Sequence, residues 1–166
     1  MKNRTTLLII LGPTATGKSD LAVSLARKLN GEIISADSRQ VYRGLNIGTG
    51  KITKKEMGGI KHYLLDVADP KKTFDVTQYV GLAEKAISEI VAKDKLPIIC
   101  GGTGYYISAL VDGIVFPDVP PNPNLRAKLK LKSTSQLGII LKKLDPERYE
   151  TIDKKNPRRL LRAIEI

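Results

Sequence analysis

The stretch GPTATGKS, Gly12 to Ser19, holds the densest chemistry in the 166-residue chain. Its spacing is that of a G-x-x-x-x-G-K-[ST] phosphate-binding loop. Gly12 and Gly17 permit a tight backbone path through Pro13, Thr14, Ala15 and Thr16, so that the amides of residues 14–19 turn inward on phosphate oxygens. Lys18 adds a mobile positive charge, and Ser19 offers a hydroxyl to a magnesium ion. Such a loop reads oxygens and charge, and leaves open what the phosphate is attached to. A nucleotide hydrolase of this type would also carry an acid for magnesium at the end of an apolar strand. Two acids qualify, Asp37 after EIISA and Asp66 at the end of HYLL.

Asp37 has a second kind of chemistry open to it. It follows a short apolar run, and in an open parallel sheet the carboxyl ends of the strands face the ligand. A carboxylate there can take a proton from an incoming nucleophile or hold magnesium through water. It can also simply close an Asx turn with Ser38. Of the single histidine and the single cysteine, His62 reads as structural and Cys100, inside LPIIC, as inert core.

The elements that must position these groups are legible as alternation. Residues 5–11, TTLLIIL, read as a buried parallel strand. A helix is expected from about Lys18 to Asn30, with Leu21, Leu25 and Leu29 on its apolar face and Gly31 ending it. EIIS is a second strand, and HYLLDV, His62 to Val67, a third. Asp75 caps a helix of about five turns whose stripe is Val76, Tyr79, Val80, Ala83, Ile87, Ile90 and Val91. LPIIC is another strand, turned by GGTG into a further helix. Strands alternating with helices imply an α/β fold, a parallel sheet with helices on both faces. The pattern breaks at FPDVPPNPN, where four prolines in nine residues mark a boundary or hinge. Beyond it the chain is helical and basic, and its last helix starts on Asn156 and Pro157.

Composition narrows the partner. The net charge is +11, and residues 121–166 hold 12 Lys/Arg against 5 Asp/Glu. That bias suits an anionic partner such as nucleic acid, or a lysine-rich solvated surface. No apolar run approaches the roughly 20 residues of a membrane helix. One cysteine excludes a disulfide framework within the chain and a cysteine metal cluster. A cytoplasmic protein is the expectation.

The segments GPTATGKSDLA, EIISADSRQVYRGLNIGTGK, HYLLDV, LPIICGGTGYYISALVDG and NPRRLLRAIEI occur in this order and spacing. Together they resemble the tRNA dimethylallyltransferase (tRNA isopentenyltransferase) family, from about Leu7 to Ile166. The motifs D-S-x-Q-V-Y-[RK]-G and G-G-T-G-x-Y restrict the match far more than the glycine loop does. The resemblance implies a P-loop NTPase-like core with a short basic helical segment. It implies transfer of a dimethylallyl group from dimethylallyl diphosphate to the exocyclic amine of the adenosine beside the tRNA anticodon, releasing diphosphate. Gly12 to Ser19 would bind the diphosphate, with Mg2+ near Ser19. Asp37 and Thr103 would be catalytic, with Asp37 as the base. Ser38 and Gln40 would hold the target base, with Arg39 at the family's variable position and Thr103 near the diphosphate and the reacting amine. Asp37, Ser38, Arg39, Gln40 and Thr103 would thus bind tRNA, together with Arg126, Arg158, Arg159 and Arg162.

The same resemblance organises the chain as a catalytic core over 1–116, a short proline-bounded helical insertion over 117–150, and the start of a basic helix returning to the core over 151–166. Family members continue beyond that point, so a fragment or a reduced form is expected, acting as a monomer. GTGKI stands where the family more often has G-T-A-K-P. Three other readings stay open: prenylation of free adenine nucleotides, a small P-loop kinase with Asp37 activating a hydroxyl, and a tRNA-binding remnant without turnover.

Overall fold

The computed structural model describes residues 5–114, 116–117 and 119–166. They fall into two compact units, Met1–Ile114 and Val115–Ile166. The first is built on four parallel strands in the order β1-β4-β2-β3: β1 Leu8–Leu11, β2 Gly31–Ser35, β3 His62–Tyr63 and β4 Leu96–Gly101. Its helices are α1 Lys18–Lys28, α2 Lys54–Met57, α3 Val76–Val91 and α4 Gly104–Val111.

Successive strand residues point to opposite faces. Ile33 and Ile98 therefore pack under α1, against Ala22, Val23 and Ala26. Their neighbours Ile34 and Ile99 pack under α3 and α4, against Tyr79, Ala83, Ile90 and Ile107. This is the α/β arrangement with helices on both faces. Tyr79 and Tyr106 stack across α3 and α4, ring centroids 4.3 Å apart. Helix α3 begins with a capping box: Asp75 accepts from the Gln78 amide, and the Gln78 side chain accepts from the Asp75 amide.

Four sequence expectations need correction. β1 is not buried: it pairs only with β4 among the described residues, and Ile9 and Leu11 are exposed while Leu8 and Ile10 face α1. An apolar run announces two covered faces, but an edge strand receives only one. On α1 the buried residues are Ala22, Val23 and Ala26, while Leu21 and Leu29 are half exposed. Small side chains at i and i+4 let the helix lie close on the sheet, which turns the leucine row away. HYLLDV yields only His62–Tyr63 as strand, because Leu64 (φ 63°) and Asp66 (φ 56°) adopt the left-handed region. Val91, placed on the apolar stripe of α3, is exposed, and Ala86 is buried in that helix.

The second unit contains α5 Pro123–Lys130, α6 Thr134–Leu144, α7 Pro146–Thr151 and α8 Pro157–Glu165. Leu129, Leu137, Leu141 and Leu160 form its core, so α8 packs with α5 and α6. Its helix starts are well defined: Asn122, Asp145 and Asn156 cap helices that open on proline, and Ser133 forms a capping box with Gln136. No helix among the described residues is long and apolar enough to cross a membrane.

Candidate active site

Three loops leave the carboxyl ends of β1, β4 and β2, adjacent in the sheet. The glycine loop joins β1 to α1. Ala15 (φ 63°) and Gly17 (φ 76°) take left-handed backbone there, and Pro13 to Gly17 are exposed. The Thr16 hydroxyl donates to the Pro13 carbonyl at 2.9 Å, and the Lys18 ammonium donates to the same oxygen. Lys18 thus lies across its own loop.

The second loop is Gly101–Gly104. A Cβ on Gly101 would fall 2.2 Å from the Ala36 carbonyl oxygen, so only glycine lets β4 and β2 close on each other at this edge. The backbone exploits that approach: Ala36 N donates to Cys100 O at 2.8 Å, and Thr103 N to Ala36 O at 3.0 Å. Gly102 lies on the glycine loop, where an added Cβ would stand 3.4 Å from Gly12 O. The third loop follows β2. Ser38 N donates to the Thr103 hydroxyl at 3.0 Å, binding it to the second loop. Asp37 Oδ1 accepts from Arg39 N (2.8 Å) and Gln40 N (3.2 Å). The Asx turn is therefore real, and it uses one carboxylate oxygen. Oδ2 has no protein partner among the described residues. Arg39 is exposed, whereas Asp37, Ser38 and Gln40 are half-buried.

The helix starts sharpen this picture. Every helix needs partners for its first amides. Among the described residues α2, α3, α5, α6, α7 and α8 receive a side-chain cap, whereas α1 and α4 do not. Those two start on the glycine loop and on Thr103. Open amides of this kind suit an anion.

Ser19, Gln40, His62 and Cys100 share the lining of a cavity of about 20 Å³ behind the loops. His62 Nδ1 lies 2.9 Å from Ile60 O, and burial lowers its pKa against that hydrogen bond. Burial raises the Cys100 thiol pKa, with Lys18 opposing, and Sγ donates to Lys18 O at 3.6 Å. The larger open cleft, about 350 Å³, runs along α1 and α2 past Asp20, Arg27 and Glu56, and contains none of the loop residues.

Asp66 is not a free metal acid: its carboxylate is salt-bridged to Lys51, whose side chain is 5% exposed. Sequence reasoning passed over Lys51, because its partner lies fifteen positions away and no spacing rule joins them. Among the described residues no group of three or more His, Cys, Asp or Glu could hold a metal. A magnesium ion here would take phosphate oxygens as its main ligands, with the Ser19 hydroxyl as a further one.

The arginines divide within the second unit. Glu165, its side chain 1% exposed, accepts from Arg126 Nε (2.8 Å) and a terminal nitrogen (2.7 Å), from Asn122 N, and from Arg162 at 2.8 Å. Arg126 leads in holding the Glu165 carboxyl at about 2, against burial. Arg162 also donates to Val119 O. Arg158 and Arg159 stand exposed at the first turn of α8, with Asp153 4.0 Å from Arg159.

A family model described as IPP transferase matches residues 40–166. A tRNA dimethylallyltransferase of Halothermothrix orenii is 44% identical over 99% of this chain and 51% of its own length. The full-length tRNA isopentenylpyrophosphate transferase of Bacillus halodurans superposes with a TM-score of 0.68 at 41% identity, over 98% of this chain and 55% of that one. A eukaryotic dimethylallyltransferase acting on tRNA superposes with a TM-score of 0.85 at 30% identity, over 98% of this chain and 41% of that one. The chain spans about half the length of the curated relatives it matches.

Proposed function

The chain belongs to the IPP transferase family, and from that premise we propose that it transfers a dimethylallyl group from dimethylallyl diphosphate to the exocyclic amine of an adenosine in the anticodon stem-loop of tRNA. The observation that carries this is the pair of uncapped helix starts, α1 and α4, beside a carboxylate with one oxygen uncommitted. A diphosphate leaving group needs the first, and a weakly nucleophilic amine needs the second.

In this reading the donor diphosphate lies on the amides of residues 14–19. Lys18 exchanges the Pro13 carbonyl for a phosphate oxygen. Ser19 would help hold a magnesium ion, which would supply positive charge against the departing diphosphate. The adenine amine attacks C1 of the donor, the C1–O bond breaks, and its electron pair leaves with diphosphate. Asp37 Oδ2 takes the proton the amine loses. Loop amides and Lys18 act where charge grows, so they stabilise the transition state more than the bound donor. Thr103, fixed through Ser38 N, keeps a hydroxyl hydrogen to donate towards the diphosphate. Gln40 meets the base edge, and Arg158 and Arg159 reach RNA phosphates. The protein works as a monomer in the cytoplasm.

The test is incubation with dimethylallyl diphosphate, Mg2+ and an adenosine-bearing anticodon stem-loop, read by mass. A prenyl increment on RNA supports the reading. Prenylation of AMP alone, γ-phosphate transfer from ATP, or RNA binding without transfer overturns it. Asp37→Asn keeps the turn-capping oxygen and loses the base, so turnover should fall about 10²–10⁴-fold with unchanged thermal stability. Asp37→Ala should lose both.

A further inference from the structure

We propose that Lys51 is a positioning residue that decides which atom of Gln40 faces the substrate base. This rests on the functional reading above. Gln40 Nε2 donates to Gly50 O at 3.2 Å and reaches Thr49 O at 3.5 Å. Turning the carboxamide over would set its oxygen against two carbonyl oxygens, so the orientation is fixed by charge as well as geometry. Oε1 is left without a donor among the described residues. Gln40 therefore offers an acceptor to the cleft. An exocyclic amine satisfies it, and a ring carbonyl at the same position repels it. In this way the site selects adenosine over inosine.

The two gripping carbonyls lie in a loop, residues 45–50, whose internal bonds shape the turn without reaching the rest of the fold. Its internal bonds are Thr49 Oγ1 to Leu45 O (2.5 Å), Gly50 N to Ile47 O and Lys51 N to Asn46 O (both 3.1 Å). Leu45 and Ile47 are both exposed, Ile47 almost completely, so apolar burial at these two positions does not anchor it. What ties the loop down is the Lys51 ammonium, which donates to Tyr42 O at 2.7 Å and to the Asp66 carboxylate. Tyr42 is itself bridged to Ala68, and Arg43 donates to Asp66 O (3.0 Å) and Val67 O (3.3 Å). A nearly buried ammonium is costly unless fully partnered. Here its partners lie on two separate segments, and it joins them to the loop that grips Gln40.

The test uses the full chain carrying Lys51→Met, with Asp66→Asn as a second variant that removes only the counter-charge. Two readouts are taken. Hydrogen exchange of the Gln40 side-chain amide, followed by NMR, should be at least about tenfold faster in Lys51→Met than in the wild type. The ratio of dissociation constants for stem-loops bearing inosine or adenosine at the target position should favour adenosine in the wild type and fall about tenfold in the variant, with dimethylallyl diphosphate binding unchanged. If either variant folds and keeps both wild-type exchange and wild-type preference, the proposal is overturned. If Lys51→Met does not fold, Asp66→Asn decides. Failure of the wild type to prenylate RNA sinks the functional reading instead, and the exchange measurement still judges the role of Lys51.

Discussion

Arg126 and Arg158 carry the same charge in different surroundings. Arg126 makes a two-point contact with a carboxylate whose side chain is 1% exposed. Removing it leaves that carboxylate to Arg162 and the Asn122 amide alone, and Arg126→Ala should cost about 1–3 kcal/mol in urea unfolding of the second unit. Arg158 has no side-chain partner among the described residues. Arg158→Ala should change stability by less than about 0.5 kcal/mol, yet reduce the salt slope of RNA binding by about one. Equal losses of stability, or an unchanged salt slope for Arg158→Ala, would remove this distinction. From the sequence the arginines look alike, since Arg159 and Arg162 share a helix face by spacing. Glu165 separates them, and its reach to Arg126 crosses 39 positions.

Among elements, what was legible is what depends on near neighbours. The glycine loop, the Asp75 cap and the Asn156–Pro157 start each need only a few residues, and each is present in the structure. What was not legible depends on which element lies alongside. TTLLIIL gives no sign that β1 will have one neighbour, and the leucines of α1 outweigh the alanines that actually meet the sheet. The site is similarly divided: Asp37, Gln40 and Thr103 were readable as motifs, while the Lys51–Asp66 pair was not. Gly101 tests the joint between β4 and β2. Gly101→Ala brings a methyl group against the Ala36 backbone, which cannot swing aside. It should destabilise the protein by about 1–3 kcal/mol and weaken donor binding by disturbing Thr103. A fully stable variant with normal donor affinity would show that the close approach is dispensable.

Over the whole molecule, acid sensitivity should follow buried carboxylates. Glu32 on β2 is 5% exposed and accepts from Lys95 (2.8 Å), Tyr63 (2.9 Å) and Lys93 (3.1 Å). Burial raises its pKa, but the hydrogen bonds from Lys95, Lys93 and Tyr63 outweigh this and hold it at about 2, below the ordinary 4.5. The unfolded chain then binds the extra proton across that window. Stability from Glu32 is complete above about 4.5 and is lost as pH falls towards about 2. Glu165 acts with the same sign in the second unit. Glu32→Gln should lower stability at neutral pH by about 1–3 kcal/mol and flatten the acid limb of a urea-midpoint profile. An unchanged limb would assign the acid response elsewhere.

The stacked tyrosines of α3 and α4 have a spectroscopic consequence. The chain has six tyrosines and no tryptophan, so its intrinsic emission comes from tyrosine alone. Tyr79 and Tyr106 lie 18° from parallel, and the Tyr79 hydroxyl is buried with no hydrogen-bond partner among the described residues. Burial pushes the Tyr79 phenol upward, so in an alkaline difference spectrum it stays silent until its surroundings open. Tyr106 sits in the first turn of α4, and its amide donates to Thr103 O at 2.9 Å. If the proposed donor engages the Thr103 turn, one ring of the stack should move with it. Near-ultraviolet dichroism should then change on adding dimethylallyl diphosphate, with no label added.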